Sequence, residues 1–173
     1  MNRIESAILS NLIQDEEYLR KTFPFLESAY FQDYNERLLF GLMKDYIDEY
    51  KTNPSKDELS TMLSNSDNIT EENYDTIDTM ITNLNGSYKL DWIVDETEKF
   101  CQKQAVYNAI MDSIKIIDDK TDDVRGENDI PGILTDALSV TFDPNIGHDF
   151  FDDSDQRFEY YHTKESKVPF DIK

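Results

Sequence analysis

The sequence predicts an all-α fold, and three observations carry that prediction. Apolar residues recur at spacings of three and four along most of the chain. Only five glycines and five prolines punctuate 173 residues, which leaves few obligatory turns and disfavours a many-stranded β fold. Hydrophobic residues make up 38% of the chain and aromatics 12%, enough apolar mass to build a core and escape global disorder.

Ile4, Ala7, Ile8 and Leu12 share one face of a short helix over 4–14. The pattern continues from Glu16 to Phe23, and Pro24 stops it. Residues 33–52 form the clearest helix, with a broad stripe of Leu38, Leu39, Leu42, Met43, Tyr46, Ile47 and Tyr50, ended by Asn53-Pro54. Ser55 and Glu58 make a capping box for a helix carrying Leu59, Met62 and Leu63. After a polar loop at 64–68, Thr70 caps a helix with Tyr74, Ile77, Ile81 and Leu84 inward. Asn85-Gly86-Ser87 reads as a helix stop and a domain hinge.

From Leu90 to Asp119 the helical pattern is unbroken, with Ile93, Phe100, Tyr107 and Ile114 recurring every seven residues and Ile110, Met111 and Ile117 beside them. A helix of that length spans roughly 45 Å, so it projects and needs a partner face. A polar loop, 119–129, reverses the chain. Pro131 suits a first helical turn, and Leu134, Ala137, Leu138 and Phe142 line one face of the return helix. The expected organisation is therefore a compact helical bundle over 1–86, a long helical hairpin over 88–142, and an acidic linker over 143–173. Ser154 would cap a linker helix there, with Phe158 and Tyr161 as its apolar side. One return helix covers only part of the long helix's apolar width, and the bundle reaches only its beginning. The far end, Tyr107, Ile110, Met111, Ile114 and Ile117, is thus the expected contact between subunits.

The formal net charge is −20, from 37 acidic and 17 basic residues. DNA binding normally needs clustered cations, and only the isolated pair Arg20–Lys21 is present, so strong direct DNA binding by this chain is not expected. The acid is read as a solvated, self-repelling surface, with a basic partner protein as the minority alternative. Cys101 is the sole cysteine, which excludes an internal disulfide and a cysteine-based zinc site. No stretch approaches the ~20 apolar residues of a membrane span, and no signal peptide is visible.

Catalytic signals are sparse. None of Gly41, Gly86, Gly126, Gly132 and Gly147 is followed by lysine, so no phosphate-cradling Walker motif exists. His148-Asp149 with Asp152 and Asp153 is the one site-like cluster, short of the further histidines a metal-dependent phosphohydrolase requires. His162 is the only other histidine. Cys101, beside the core stripe of a long helix, reads as a buried structural thiol. Trp92 suits either an interface anchor or a pin between hairpin and bundle. The aromatics Tyr18, Phe23, Phe25, Tyr30, Phe31 and Tyr34 read as core rather than as a base-stacking platform. No catalytic or metal-ligating residue is therefore assigned.

Several of these stretches resemble a known family. The N-terminal IESAILSNLIQDEEYLRKTFPFLESAYF, the helix DWIVDETEKFCQKQAVYNA, and IPGILTDALSVTFDPNIGHDFFDD followed by RFEYYHTKESKVPF are similar to the N-terminal part of DnaB-like replicative DNA helicases of T-even-type phages. The similarity is collinear over nearly the whole chain and weakest at 64–89 and 118–129. It implies a homo-oligomer, hexameric in full-length form, that encircles single-stranded DNA and unwinds duplex 5′ to 3′ with NTP in the infected host's cytoplasm. It also implies an N-terminal collar formed through paired hairpins, which contacts primase and works with a helicase loader. DNA would be engaged only by the assembled ring. The linker helix, with Phe158 and Tyr161, would dock on a neighbouring subunit's motor domain. That motor would hold ATP and magnesium. It lies beyond Val168-Pro169-Phe170 in the family and is absent from these residues, so no cofactor is expected in this chain. Two other readings stay open: an acidic DNA-mimic inhibitor, suggested by the charge, and a small phosphohydrolase centred on His148.

Overall fold

In a computed structural model, which describes residues 3–66, 69–118 and 126–142, the chain forms seven α-helices and three short 3-10 turns, with no strand among the described residues. Helix α1 (Arg3–Gln14) leads directly into α2 (Glu16–Thr22). The break between them is made by Asp15, whose carboxylate accepts the Tyr18 backbone N–H at 2.9 Å and starts a new helix. Phe23–Phe25, with Pro24 inside it, and Ser28–Tyr30 are 3-10 turns that carry the chain to α3 (Tyr34–Tyr50). Asp33 caps α3 by accepting from the backbone of Asn35 and Glu36.

Helix α3 ends at Tyr50, earlier than Asn53-Pro54, because Lys51 adopts a left-handed conformation (φ 57°) while its N–H still bonds Ile47. The residues beyond serve the core instead. Asn53 donates to the Leu12 carbonyl at 2.7 Å, and Pro54 is buried. The capping box of α4 (Lys56–Ser64) forms as the sequence indicates, Ser55 and Glu58 bonding each other's backbone N–H. Thr70 caps α5 (Glu71–Thr82) through the Asn73 N–H.

Helix α6 (Leu90–Ile117) is 28 residues long, roughly 42 Å, and α7 (Ile130–Leu138) returns antiparallel to it. Pro131 lies in the first turn of α7, behind the 3-10 turn Glu127–Asp129. Residues 1–86 and 88–142 share one core. Ile93, Phe100 and Cys101 from α6 join Leu9, Leu12, Tyr18, Phe31, Leu39, Phe40, Ile77 and Leu84, and Met1–Phe142 forms one compact unit. Asn85–Ser87 therefore joins two parts of one packed body rather than two separate ones. Phe142 closes the return. Its ring stacks on Phe25 with centroids 4.6 Å apart, and its N–H donates to Glu98 at 3.0 Å.

The linker 143–173, with His148, Phe158, Tyr161 and His162, lies outside the described residues.

Candidate interaction surface

Helix α6 is apolar on two sides, and its two halves meet different surroundings. Along the first half the bundle covers it. Thr97, fully buried, bonds the Tyr18 hydroxyl at 2.7 Å and its own Ile93 carbonyl at 2.6 Å. Gln104 meets Gln32 at 3.0 Å, and Asn108 donates to the Ala29 carbonyl at 2.9 Å. Beyond Asn108, Ser113 and Lys115 bond within α6 itself, to the Ala109 carbonyl and to Asp112. From there α6 packs chiefly on α7 and the turn that precedes it. Ala105, Ala109, Ser113 and Ile116 are the buried stripe of that half. Three of these four side chains, Ala105, Ala109 and Ser113, are small, and Ile116 adds bulk at the far end.

The remaining apolar residues of this half face elsewhere. Tyr107, Ile110, Met111, Ile114 and Ile117 are 39–60% exposed. At about 100° per residue they form a continuous stripe nearly opposite Ala105, Ala109, Ser113 and Ile116. The seven-residue line Ile93–Phe100–Tyr107–Ile114 is thus divided, its first two members buried and its last two in solvent. A straight α-helix drifts by about 20° per heptad, and the bundle that covers Ile93 and Phe100 does not extend to Ile114. On α7, Leu134 and Ala137 are half-buried as expected, but Leu138 is 73% exposed and does not join their face.

Trp92 lies in the first turn of α6. It is half exposed and stacks on Tyr88, centroids 5.6 Å apart. Of the aromatics between Tyr18 and Phe31, Tyr18, Tyr30 and Phe31 are core, Phe31 stacking on Phe40 at 4.8 Å and leaning on Phe100 at 5.8 Å, while Phe23 and Phe25 are partly buried. They present no platform for bases, although Tyr34 is exposed. Cys101 is buried, and that burial pushes its thiol up to about 12, so it is an inert core group.

A feature that periodicity did not reveal lies where α1 and α3 begin. Glu5 and Glu36 are both buried. The Glu36 carboxyl lies against that of Glu5, with no other hydrogen-bond partner, and Asn35 Oδ1 has none. Burial, then the neighbouring charges of Glu5 and Asp33, push the Glu36 carboxyl up to about 7. In the sequence each glutamate looks like an ordinary first-turn acid complementing a helix dipole, so only the packing identifies the pair.

Among the described residues no group of histidine, cysteine and carboxylate side chains is placed to hold a metal, and no helix is long and apolar enough to cross a membrane.

No protein-family profile matches the chain. A DnaB-like replicative helicase of Enterobacteria phage T4 is 37% identical to it over 177 aligned positions, covering 96% of this chain and 36% of the helicase. The chain thus spans about a third of the length of that relative. Over nearly all of its residues, then, this all-helical chain is homologous to part of a DnaB-like replicative helicase, to an extent consistent with an N-terminal domain.

Proposed function

We propose that this chain is the oligomerisation and partner-binding collar of a ring-shaped replicative helicase, working in the cytoplasm of an infected bacterium. The observation that carries the proposal is the stripe Tyr107–Ile110–Met111–Ile114–Ile117, an apolar face on the half of α6 that the bundle leaves uncovered. A contiguous exposed apolar patch on a chain otherwise rich in charge marks a protein contact. Homology to a DnaB-like replicative helicase supports a second copy of the chain as the occupant. In this proposal paired hairpins build the collar of a hexamer, and primase and a loader dock on that collar. Phe158 and Tyr161 tie it to a neighbouring motor domain, which supplies ATP and magnesium chemistry.

The competing DNA-mimic reading requires a closed monomer with its carboxylates in two regular rows, and an exposed apolar stripe opposes it. The phosphohydrolase reading rests on His148, which lies outside the described residues. It is tested by titrating manganese or magnesium while following hydrolysis of a phosphodiester.

Sedimentation equilibrium of the chain is the direct test. Self-association in the micromolar range is expected, and a monomer at all concentrations would sink the proposal. The same preparation should hydrolyse no nucleoside triphosphate. It should also bind single-stranded DNA more weakly than about 10⁻⁴ M at physiological salt, since the cations that neutralise phosphates are missing. Sub-micromolar anisotropy binding would contradict both the charge argument and the core assignment of residues 18–31.

A further inference from the structure

A second surface lies on the bundle, on different helices from the hairpin stripe. The last turn of α3 and the first turns of α4 enclose a groove of about 570 Å³, lined by Tyr46, Glu49, Tyr50, Asp57, Glu58, Thr61 and Met62. Two tyrosine rings, 4.6 Å apart and tilted at 41°, form an aromatic wall. Tyr50 is more than half exposed, whereas Tyr46 is buried and donates to the Glu58 carboxylate at 2.7 Å.

The groove carries three carboxylates and no cation among its lining residues. The lysines nearest in sequence are engaged elsewhere. Lys51 turns back towards Asp48, and Lys56 donates to the Thr82 carbonyl at 2.8 Å and to Asn85 at the end of α5. Among the described residues, no cationic side chain forms an ion pair with Glu49, Asp57 or Glu58. Glu58 stays ionised, because the hydroxyl and backbone N–H of Ser55, and then the Tyr46 hydroxyl, hold its carboxyl below the usual range.

We propose that this groove receives an arginine side chain presented by a basic partner protein. A planar guanidinium matches both parts of the lining, stacking on a tyrosine face while its fork of N–H donors meets the carboxylates. A lysine ammonium would satisfy the charge but not the stacking. An apolar residue would leave the carboxylates without counter-charge beside it. With a net charge of −20, the chain draws basic surfaces toward it from a distance, and the groove gives one such surface a defined seat. The inference does not depend on self-association of the hairpin.

The test uses the whole chain at physiological salt, where diffuse attraction is screened. A blocked pentapeptide, acetyl-Ala-Leu-Arg-Leu-Ala-amide, is titrated in while the Met62 methyl and the Tyr46 and Tyr50 ring resonances are followed by NMR. A second peptide carries citrulline, which keeps the shape of arginine without its charge. Saturable shifts confined to the groove are expected, with the citrulline peptide weaker by about tenfold or more. Tyr50→Ala and the double change Glu49→Gln/Asp57→Asn should each weaken the arginine peptide by a similar factor. These residues are exposed and leave the Ser55–Glu58 cap in place, so circular dichroism should be unchanged. Equal binding of the two peptides, or shifts spread evenly over acidic sites such as Glu71 and Glu72, would overturn the proposal.

Discussion

Ile114→Glu should abolish self-association of the chain while leaving its helical content intact. Ile114 is 46% exposed and sits in the middle of the stripe Tyr107–Ile117, so the substitution removes little from the internal packing of α6. The face that α6 turns to α7 carries Ala105, Ala109, Ser113 and Ile116, and it is untouched. In an assembled pair, however, the carboxylate would be buried against apolar side chains with no counter-charge. An uncompensated buried charge costs on the order of 3–5 kcal/mol, which weakens association by more than about a hundredfold. Lys99→Glu is the matched control. It adds negative charge to the same helix, fifteen residues upstream on a solvent-exposed site, and should leave association unchanged. Light scattering and circular dichroism decide the matter. If Ile114→Glu associates like the wild type and stays helical, the hairpin is not the contact between copies.

Glu36→Gln should stabilise the chain at pH 8 and do so much less at pH 5. The Glu36 carboxyl is pushed up to about 7, first by burial and then by the charges of Glu5 and Asp33. An unfolded chain releases the same proton near 4.3. Between those values the folded state holds a proton that the unfolded state has lost, so stability falls as pH rises through that window. The full loss above pH 7 is on the order of 3 kcal/mol, a large part of a domain's net stability. Glutamine cannot ionise, so the variant escapes that loss. The net charge of −20 also erodes stability as acids ionise. For this reason the informative quantity is the difference between the two proteins, from urea unfolding at pH 5 and pH 8 and equal protein concentration. If the difference is the same at both pH values, Glu36 is not a buried proton carrier.

Most of the helices were legible in the sequence because their signals are local. The stripe of α3, the Ser55–Glu58 box, the Thr70 cap and Pro131 in the first turn of α7 all depend on residues within one or two turns of each other. The end of α3 was harder to place. A lysine at positive φ leaves no sequence mark, whereas Asn53-Pro54 looks like a stop and is instead held by Leu12, 41 residues away.

Periodicity also showed that α6 is apolar on more than one side, and resemblance pointed to a collar. What each apolar side touches was decided by tertiary structure alone. A repeat of three and four states that residues share a face, but carries nothing about where a neighbouring element begins or ends. Ile93 and Ile114 belong to the same seven-residue series. One lies in the core and the other in solvent, because the bundle covers α6 only as far as about Asn108. Leu138 reads as core by spacing and is exposed, since α7 turns only one face to its partner helix. Glu5 and Glu36 read as surface acids and are buried, because the fold brings the two side chains together from the starts of α1 and α3. Burial of a given face is a property of what lies across from it, and that is set by contacts between residues far apart in the chain.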